Sequence, residues 1–534
     1  MIKNWKTYMY LPVLAVVLVG CAGDDSEQEQ DQESNQSTSE NGVEEVEGGE
    51  AVMAISSDPV DLDPHGSNDG PSTIVRSNIY ENLVEQTSDL EIEPHLAESY
   101  EQIDDVTWEF ILREDVTFHD GESFNAEAVK ANIERAINPD VSNRLFLLDM
   151  IDRVEVMDEY TVHIITEYPF GALPANLAHD TGGMISPAAI EDEENGDTNI
   201  ATNPVGTGAF TFDSWDQGYE VVLTKNEDYW GEDAHLDSVA IRTVPEQGTR
   251  VGMLSTGEAQ VSQSLEAANA NQVEEMEEAE LAVYPSLAMD YVGFNTQVEP
   301  FDDVRVRQAI ALAIDHEAIV EGLFEGYGSV ADSPINDMVF GYHEDLDAPE
   351  YDPERAAELL AEAGYEDGFE TSIWTSDINS NYVFIAEIVQ DQLTDIGIDA
   401  DVQIMEWATF LESTGNGDHE MQVAGWTTVT ADADYGLYPL FHTDYQGAEG
   451  NRSFYSNDEL DAMLESARQE IDEDERIAQY REIQEFLREE LPMVSIAFQD
   501  NLFGVSSNFE GYDRRSNGKF LFKDAYFTDE EAGY

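Results

Sequence analysis

Cysteine is almost absent from this chain, which has one, Cys21, among 534 residues. A single thiol excludes an intrachain disulfide and any CxxC metal or redox motif. Basic residues are also scarce, with 23 Lys and Arg against 115 Asp and Glu and a net charge of -92. A field of this sign repels nucleic acid, which argues against a DNA or RNA partner. The charge is typical of a saline medium, because salt shortens the Debye length to about 3 Å at 1 M.

Enzyme signatures are missing as well. The sequence contains no GxSxG, HExxH, P-loop or strand-preceded GxGxxG motif. Its ten histidines are scattered without an i, i+4 pair on one helix, so we expect no metal site and no cofactor. These absences favour a binding protein over an enzyme.

The first 21 residues have the pattern of a processing signal. Lys3 and Lys6 precede an apolar run over residues 11–19, and Leu18-Val19-Gly20-Cys21 matches the lipobox of bacterial lipoproteins. The run is shorter than the roughly 20 apolar residues that span a bilayer. We therefore predict removal of residues 1–20 and lipidation of Cys21, and hence a membrane anchor.

Residues 22–50 are rich in Ser, Gln, Glu, Asp and Asn, and no Lys or Arg occurs between Lys6 and Arg76. Such a segment buries too little apolar surface to fold, and its charges extend it. The composition predicts a disordered acidic tether, with the folded body starting at Ala51.

The body reads as alternating strands and helices. A buried strand is predicted at 51–55, one long helix over 302–324, and a second helix within 351–365 that Asp352 caps and Gly364 ends. Further strands are predicted at 370–374, 400–404 and 421–426, separated by helices. This alternation predicts a mixed α/β fold.

Several segments, in order along the chain, carry a family resemblance. Residues 97–121 (AESYEQIDDVTWEFILREDVTFHDG) resemble the signature of family 5 extracellular solute-binding proteins, which serve ABC importers of dipeptides, oligopeptides, nickel and glutathione. The segments that agree further are 204–210 (PVGTGAF), 228–230 (DYW), 301–309 (FDDVRVRQA), and 425–426 (GW) followed by 432–434 (DAD). Other short segments, among them 177–179 and 184–189, are most similar to the glutathione-binding branch.

The resemblance implies a two-lobed, periplasmic-binding-protein-like α/β fold with a hinge and an interlobe cleft. The first lobe is expected to contain residues 51–286 and to take back 500–534, and the second to contain 287–499. The resemblance further implies a monomer, held outside the cytoplasm on a Gram-positive surface or in a periplasm, with a permease and ATPase subunits as partners.

The resemblance also suggests ligand-binding residues. Similar proteins use an aspartate in the segment of Asp432 and Asp434 for the ligand's α-ammonium group. Dipeptide binders carry an arginine soon after the strand matching 372–374, but residues 375–382 contain none, so Arg76 is a candidate replacement; a solvated helix face is its alternative. The other candidates are Asn68, His179, Thr207, Tyr291, Trp374 and Trp426.

Three functions remain open from the sequence. The first is the uptake of glutathione or short peptides by an ABC importer. The second is the same fold binding another solute, such as a nickel chelate or an oligosaccharide. The third is a peptide-processing hydrolase.

Overall fold

The computed structural model describes residues 45–528. Its helices are α1 (Gly70–Ile79), α2 (Ala126–Ala136), α3 (Leu173–Ala178), α4 (Pro187–Asn195), α5 (Gln247–Thr256), α6 (Ala267–Glu274), α7 (Val304–Ala313), α8 (His316–Leu323), α9 (Pro353–Ala363), α10 (Ser380–Asp395), α11 (Trp407–Gly415), α12 (Ala433–Phe441), α13 (Asp458–Gln469) and α14 (Glu473–Glu490).

The strands are β1 (Glu50–Ile55), β2 (Val84–Gln86), β3 (Ile92–Pro94), β4 (Ala97–Asp104), β5 (Thr107–Leu112), β6 (Ile151–Asp158), β7 (Thr161–Thr166), β8 (Phe210–Asp216), β9 (Glu220–Lys225), β10 (Ser238–Thr243), β11 (Val261–Ser262), β12 (Ala279–Phe294), β13 (Gly328–Val330), β14 (Phe369–Ser376), β15 (Ile398–Met405), β16 (Met421–Thr427), β17 (Met493–Ser506), β18 (Phe509–Glu510), β19 (Asp513–Arg514), β20 (Phe520–Leu521) and β21 (Tyr526–Phe527).

One large mixed sheet runs through both expected lobes, in the order β15-β14-β16-β12-β17-β11-β1-β10-β9-β8, with β13 beside β17. The long antiparallel strands β12 and β17 form its centre, and their pairing is interrupted between Pro285 and Met289. On one side of this interruption β17 also pairs with β11, and on the other β12 pairs with β16. The expected boundaries at 286/287 and 499/500 fall inside these two strands.

The two largest hydrophobic cores of the first lobe are separate from each other. One packs α1 and the tail strands against β1, β10 and β9, with Phe210, Phe503 and Phe520 buried. The other lies between α2 and a separate antiparallel sheet in the order β4-β5-β7-β6, with Phe110 and Phe124 buried. This division within residues 51–286 was not predicted from the sequence.

The ends of α9 agree with the sequence prediction, whereas one predicted long helix is divided in two. The Asp352 carboxylate accepts from Arg355 N at 2.9 Å, and α9 ends at Gly364 with φ of 99°, as predicted. The single helix predicted over 302–324 is wrong, since α7 ends at Ala313 and α8 begins at His316. Asp315 breaks the run because its carboxylate accepts from Ala318 N at 3.0 Å and starts a new helix.

The predicted tether over 22–50 extends too far. Val46 N donates to Phe527 O at 2.9 Å, and β1 already begins at Glu50. Residues 46–50 therefore belong to the folded body, because Phe527 supplies the backbone partner of Val46 and residues 235–238 supply those of residues 48–50. The lipobox and Cys21 lie outside the described residues. Between residues 45 and 528, no helix is both long and apolar enough to cross a membrane.

Candidate ligand-binding cleft

A cavity of about 500 Å³ lies where the two lobes face each other. The first lobe supplies the start of α1, His179, Arg514 and the tail residues 516–518. The second lobe supplies Tyr291, β16, α11 and the loop 448–452. Both halves of the fold therefore contribute to one site. Four of the predicted site residues, Asn68, His179, Tyr291 and Trp426, line it together.

Asn68 and His179 are held in the first-lobe wall by one buried arginine. Arg144 Nη2 donates to Asn68 Oδ1 at 2.9 Å and lies 3.2 Å from His179 Nε2. Asp180 fixes Arg144 in turn, at 2.7 Å between Oδ1 and Nη1. Burial lowers the pKa of His179 to about 3, and Arg144 adds to this lowering. The ring is therefore a neutral imidazole at neutral pH.

The second-lobe wall is aromatic. Trp426 stacks on Tyr435 with ring centroids 5.3 Å apart, and Trp407 stacks on Phe410 at 5.6 Å. Burial raises the pKa of Tyr291 to about 12, so its hydroxyl keeps its proton. Such a wall binds apolar parts of a ligand while a few polar atoms orient it.

Two arginines that sequence reasoning missed also line the cleft, Arg452 in the second lobe and Arg514 in the tail. Arg452 Nη1 donates to Leu411 O and to Thr414 Oγ1, both at 2.9 Å. Arg514 lies over the ring of Phe503 at 5.1 Å. The only sequence signal for them is their rarity as bases in an acidic chain, because neither belongs to a motif.

A second cavity of about 380 Å³ lies within the first lobe. Its central carboxylate, Glu81, already accepts from Thr207 Oγ1 at 2.7 Å, from Tyr229 Oη at 2.6 Å and from Trp230 Nε1 at 2.9 Å, and it pairs with His95. Because these polar groups satisfy one another, the interlobe cleft is the better candidate for a ligand site.

The model of bacterial extracellular solute-binding proteins, family 5 middle, matches residues 91–448. The chain belongs to this family. That membership confirms the expected solute-binding role in place of catalysis.

Several family 5 relatives match nearly the whole chain. The glutathione-binding protein GsiB of Pectobacterium atrosepticum is 35% identical over 491 residues, covering 90% of this chain and 94% of that protein. GsiB of Salmonella typhi is 35% identical over 485 residues, covering 89% and 94%.

Solved structures agree with the fold. The periplasmic binding protein DppA of Helicobacter pylori, in complex with the peptide STSA, has a TM-score of 0.79 at 31% identity, covering 91% of this chain and 99% of that one. A dipeptide-binding protein of Pseudoalteromonas in complex with Met-Leu has a TM-score of 0.80 at 26% identity, covering 90% and 100%. The predicted two-lobed α/β fold is thereby confirmed.

Asp432 and Asp434, expected from the family to meet the ligand's ammonium group, lie outside the cleft lining. Arg476 Nη1 donates to Asp432 Oδ2 at 2.8 Å, and Arg468 Nε donates to Asp434 Oδ1 at 2.8 Å. Both aspartates are buried at the start of α12. The surface-acid alternative is wrong, because these carboxylates are buried and form internal ion pairs. Val429, from the same segment, lines the cleft instead.

Arg76 does not reach the cleft either. Its guanidinium is buried, with Nη2 2.8 Å from Asp180 Oδ2 and Nη1 donating to Asp63 O at 3.1 Å. Neither the ligand-carboxylate role nor the solvated helix face fits this position. Arg76 and Arg144 share Asp180 behind the first-lobe wall.

Thr207 and Trp374 also lie outside the cleft lining. Thr207 is fully buried, and its hydroxyl donates to Glu81. The turn around it passes so close to α1 that a Cβ on Gly206 would lie 2.1 Å from Ile79 O, which explains the family's glycine there. Trp374 Nε1 donates to Ser372 Oγ at 3.1 Å within the second lobe.

Proposed function

We propose that this family 5 protein captures glutathione or a short peptide between its lobes and delivers it to the permease of an ABC importer. The observation that carries the proposal is the cleft of about 500 Å³ to which both lobes contribute walls. Its volume lies in the range of about 300–1,000 Å³ typical of small-molecule sites. GsiB, named for glutathione, and the peptide complexes of DppA and the Pseudoalteromonas protein support this class of ligand.

The central strands supply a hinge for this function. The lobes are expected to rotate about the interrupted pairing of β12 and β17, which links them. Contacts across the cleft rim hold the present arrangement. Gln86 Nε2 donates to Thr430 O at 3.0 Å, and Phe146 stacks on Tyr435 at 6.0 Å. Opening would break these contacts, and a bound ligand would favour their formation.

Mass spectrometry of solute retained on the purified protein, followed by thermal unfolding in high salt, tests the ligand class. A ligand at 100 times its Kd should stabilise the protein by about 2.7 kcal/mol. We expect this shift with reduced glutathione or with peptides of two to four residues. Nickel–histidine and an oligosaccharide are the comparison ligands, and a shift with one of those alone would refute the proposal. Recovery of cleaved peptide would favour a hydrolase.

We also propose that Cys21 carries the lipid that holds the body outside the cytoplasm. The sequence supports this, since the lipobox ends at the chain's only cysteine. Expression of the Cys21→Ser variant in a bacterial host should move the protein from the membrane fraction to the soluble fraction and abolish palmitate labelling. Unchanged labelling in that variant would contradict the proposal.

A further inference from the structure

Few arginine side chains in this protein lack a carboxylate partner. Acidic residues outnumber basic ones 115 to 23, and all 17 arginines lie in the described part of the chain. Twelve of them have a carboxylate within 4.0 Å. An arginine without a carboxylate therefore needs a specific explanation.

Five arginines in residues 45–528 have no such partner, and each of them donates at least one bond to a backbone carbonyl oxygen. Arg250 donates to four carbonyl oxygens at 2.8 to 3.2 Å. Arg113 donates to His95 O at 2.6 Å, and Arg488 to Ala348 O at 3.4 Å. None of these three lines the interlobe cleft. The remaining two, Arg452 and Arg514, both line it.

Each of the two cleft arginines has guanidinium N–H groups without a short hydrogen bond. Arg452 uses Nη1 for two short bonds to α11 and reaches Ala448 O with Nη2 only at 3.4 Å. Arg514 has one long bond, from Nη1 to Lys519 O at 3.4 Å. Burial lowers the pKa of Arg514 to about 10, and nearby Tyr284 and Asp513 offset only part of that lowering.

The cleft itself offers these cations almost no counter-charge. Its lining contains two carboxylates, Asp69 and Glu449. Asp69 is committed to its own helix, since its carboxylate accepts from Ser72 N at 3.0 Å and from Ser67 Oγ at 2.5 Å. Glu449 is exposed at the rim. Arginine is suited to bidentate recognition of carboxylates, so the missing anion is best supplied by the ligand.

We infer that Arg452 and Arg514 each bind one carboxylate of the ligand, so that the cleft selects solutes with two separated carboxylates and links the lobes through them. This inference rests on the proposed function and narrows it. Reduced glutathione carries two carboxylates, one at each end, whereas an ordinary dipeptide of neutral residues carries one. Because the two arginines come from different lobes, a dicarboxylate bridges the cleft and favours closure.

Calorimetric titration in high salt tests the inference with four ligands: glutathione, its glycyl monoethyl ester, γ-glutamylglycine and the dipeptide Met-Leu. For the wild type we expect both dicarboxylates to bind, and the ester and Met-Leu to bind roughly 10- to 100-fold more weakly, the range for a hydrogen bond to a charged group. Arg452→Gln and Arg514→Gln should each weaken glutathione by the same range. Replacing the arginine that binds the glycyl carboxylate should not change the affinity for the ester, because the ester lacks that carboxylate.

Arg481→Gln is the matched control, since it removes the same charge at a surface pair 3.9 Å from Glu344 and should leave the Kd unchanged. Thermal unfolding of each variant without ligand separates lost binding from lost folding. If peptides and esters bind as tightly as glutathione, or if both arginine variants keep the wild-type Kd, the inference fails while the proposed function stands. If none of the four ligands binds the wild type, the inference fails, and the proposed function also fails if peptides of three and four residues do not bind.

Discussion

Asp290 gives the chain a buried acid whose ionisation works against folding. It lies on β12 beside the interrupted pairing and is 2% exposed. Its carboxylate accepts from Gln499 Nε2, and no cation of residues 45–528 lies within ion-pair distance. Burial raises its pKa from 3.8 to about 7, and the bond from Gln499 opposes only part of that rise.

The direction and size of the effect follow from this pKa. The folded state binds the proton of Asp290 more tightly than the unfolded state does. The contribution of this protonation to the free energy of unfolding is therefore fully present below pH 3.8. It is lost as the pH rises through 7. At 1.36 kcal/mol per pKa unit, the complete loss is about 4 kcal/mol.

Asp290→Asn keeps the acceptor oxygen for Gln499 and cannot ionise. We expect the variant to be more stable than the wild type, with an advantage that grows by about 2 to 3 kcal/mol between pH 5 and pH 8. Urea unfolding at constant high salt measures this difference across the pH range. Asp391→Asn, at an exposed position of α10, is the control. A stability difference that does not change with pH would show that Asp290 does not take up a proton on folding.

Two further predictions concern charge. Raising KCl from 0.1 to 2 M should raise the Tm, because a net charge of -92 repels itself and salt screens that repulsion; an unchanged or falling Tm would contradict this. Asp432→Asn should lower the free energy of unfolding by about 3 to 5 kcal/mol, because it leaves buried Arg476 without its ion pair. The folded variant should bind ligand with wild-type affinity. A large loss of affinity would show that Asp432 takes part in ligand binding.

Sequence reasoning succeeded where a few neighbouring residues determine the structure. Asp352 and Gly364 fix the ends of one helix within their own turns, and the family motifs indicated both the fold and the solute-binding class. The break at Asp315 shows the limit of periodicity, since apolar spacing continues across a new N-cap.

Sequence reasoning failed where the partner lies far along the chain. Asp432 has its arginine 44 residues downstream, and Arg76 has its aspartate 104 residues away. Nothing local distinguishes such buried pairs from residues free to bind a ligand. Arg452 and Arg514 were missed for the converse reason, because their lack of a carboxylate is visible only in three dimensions.

Filling the cleft at Gly70 tests whether the ligand binds between the lobes. This residue lines the cavity at the start of α1, and a Cβ added there meets nothing within 4 Å. Gly248, near the start of α5, has the same open surroundings outside the cleft. Calorimetric titration with glutathione should give one site per chain in the wild type and in Gly248→Trp, and no binding in Gly70→Trp. Wild-type affinity in Gly70→Trp would contradict binding between the lobes.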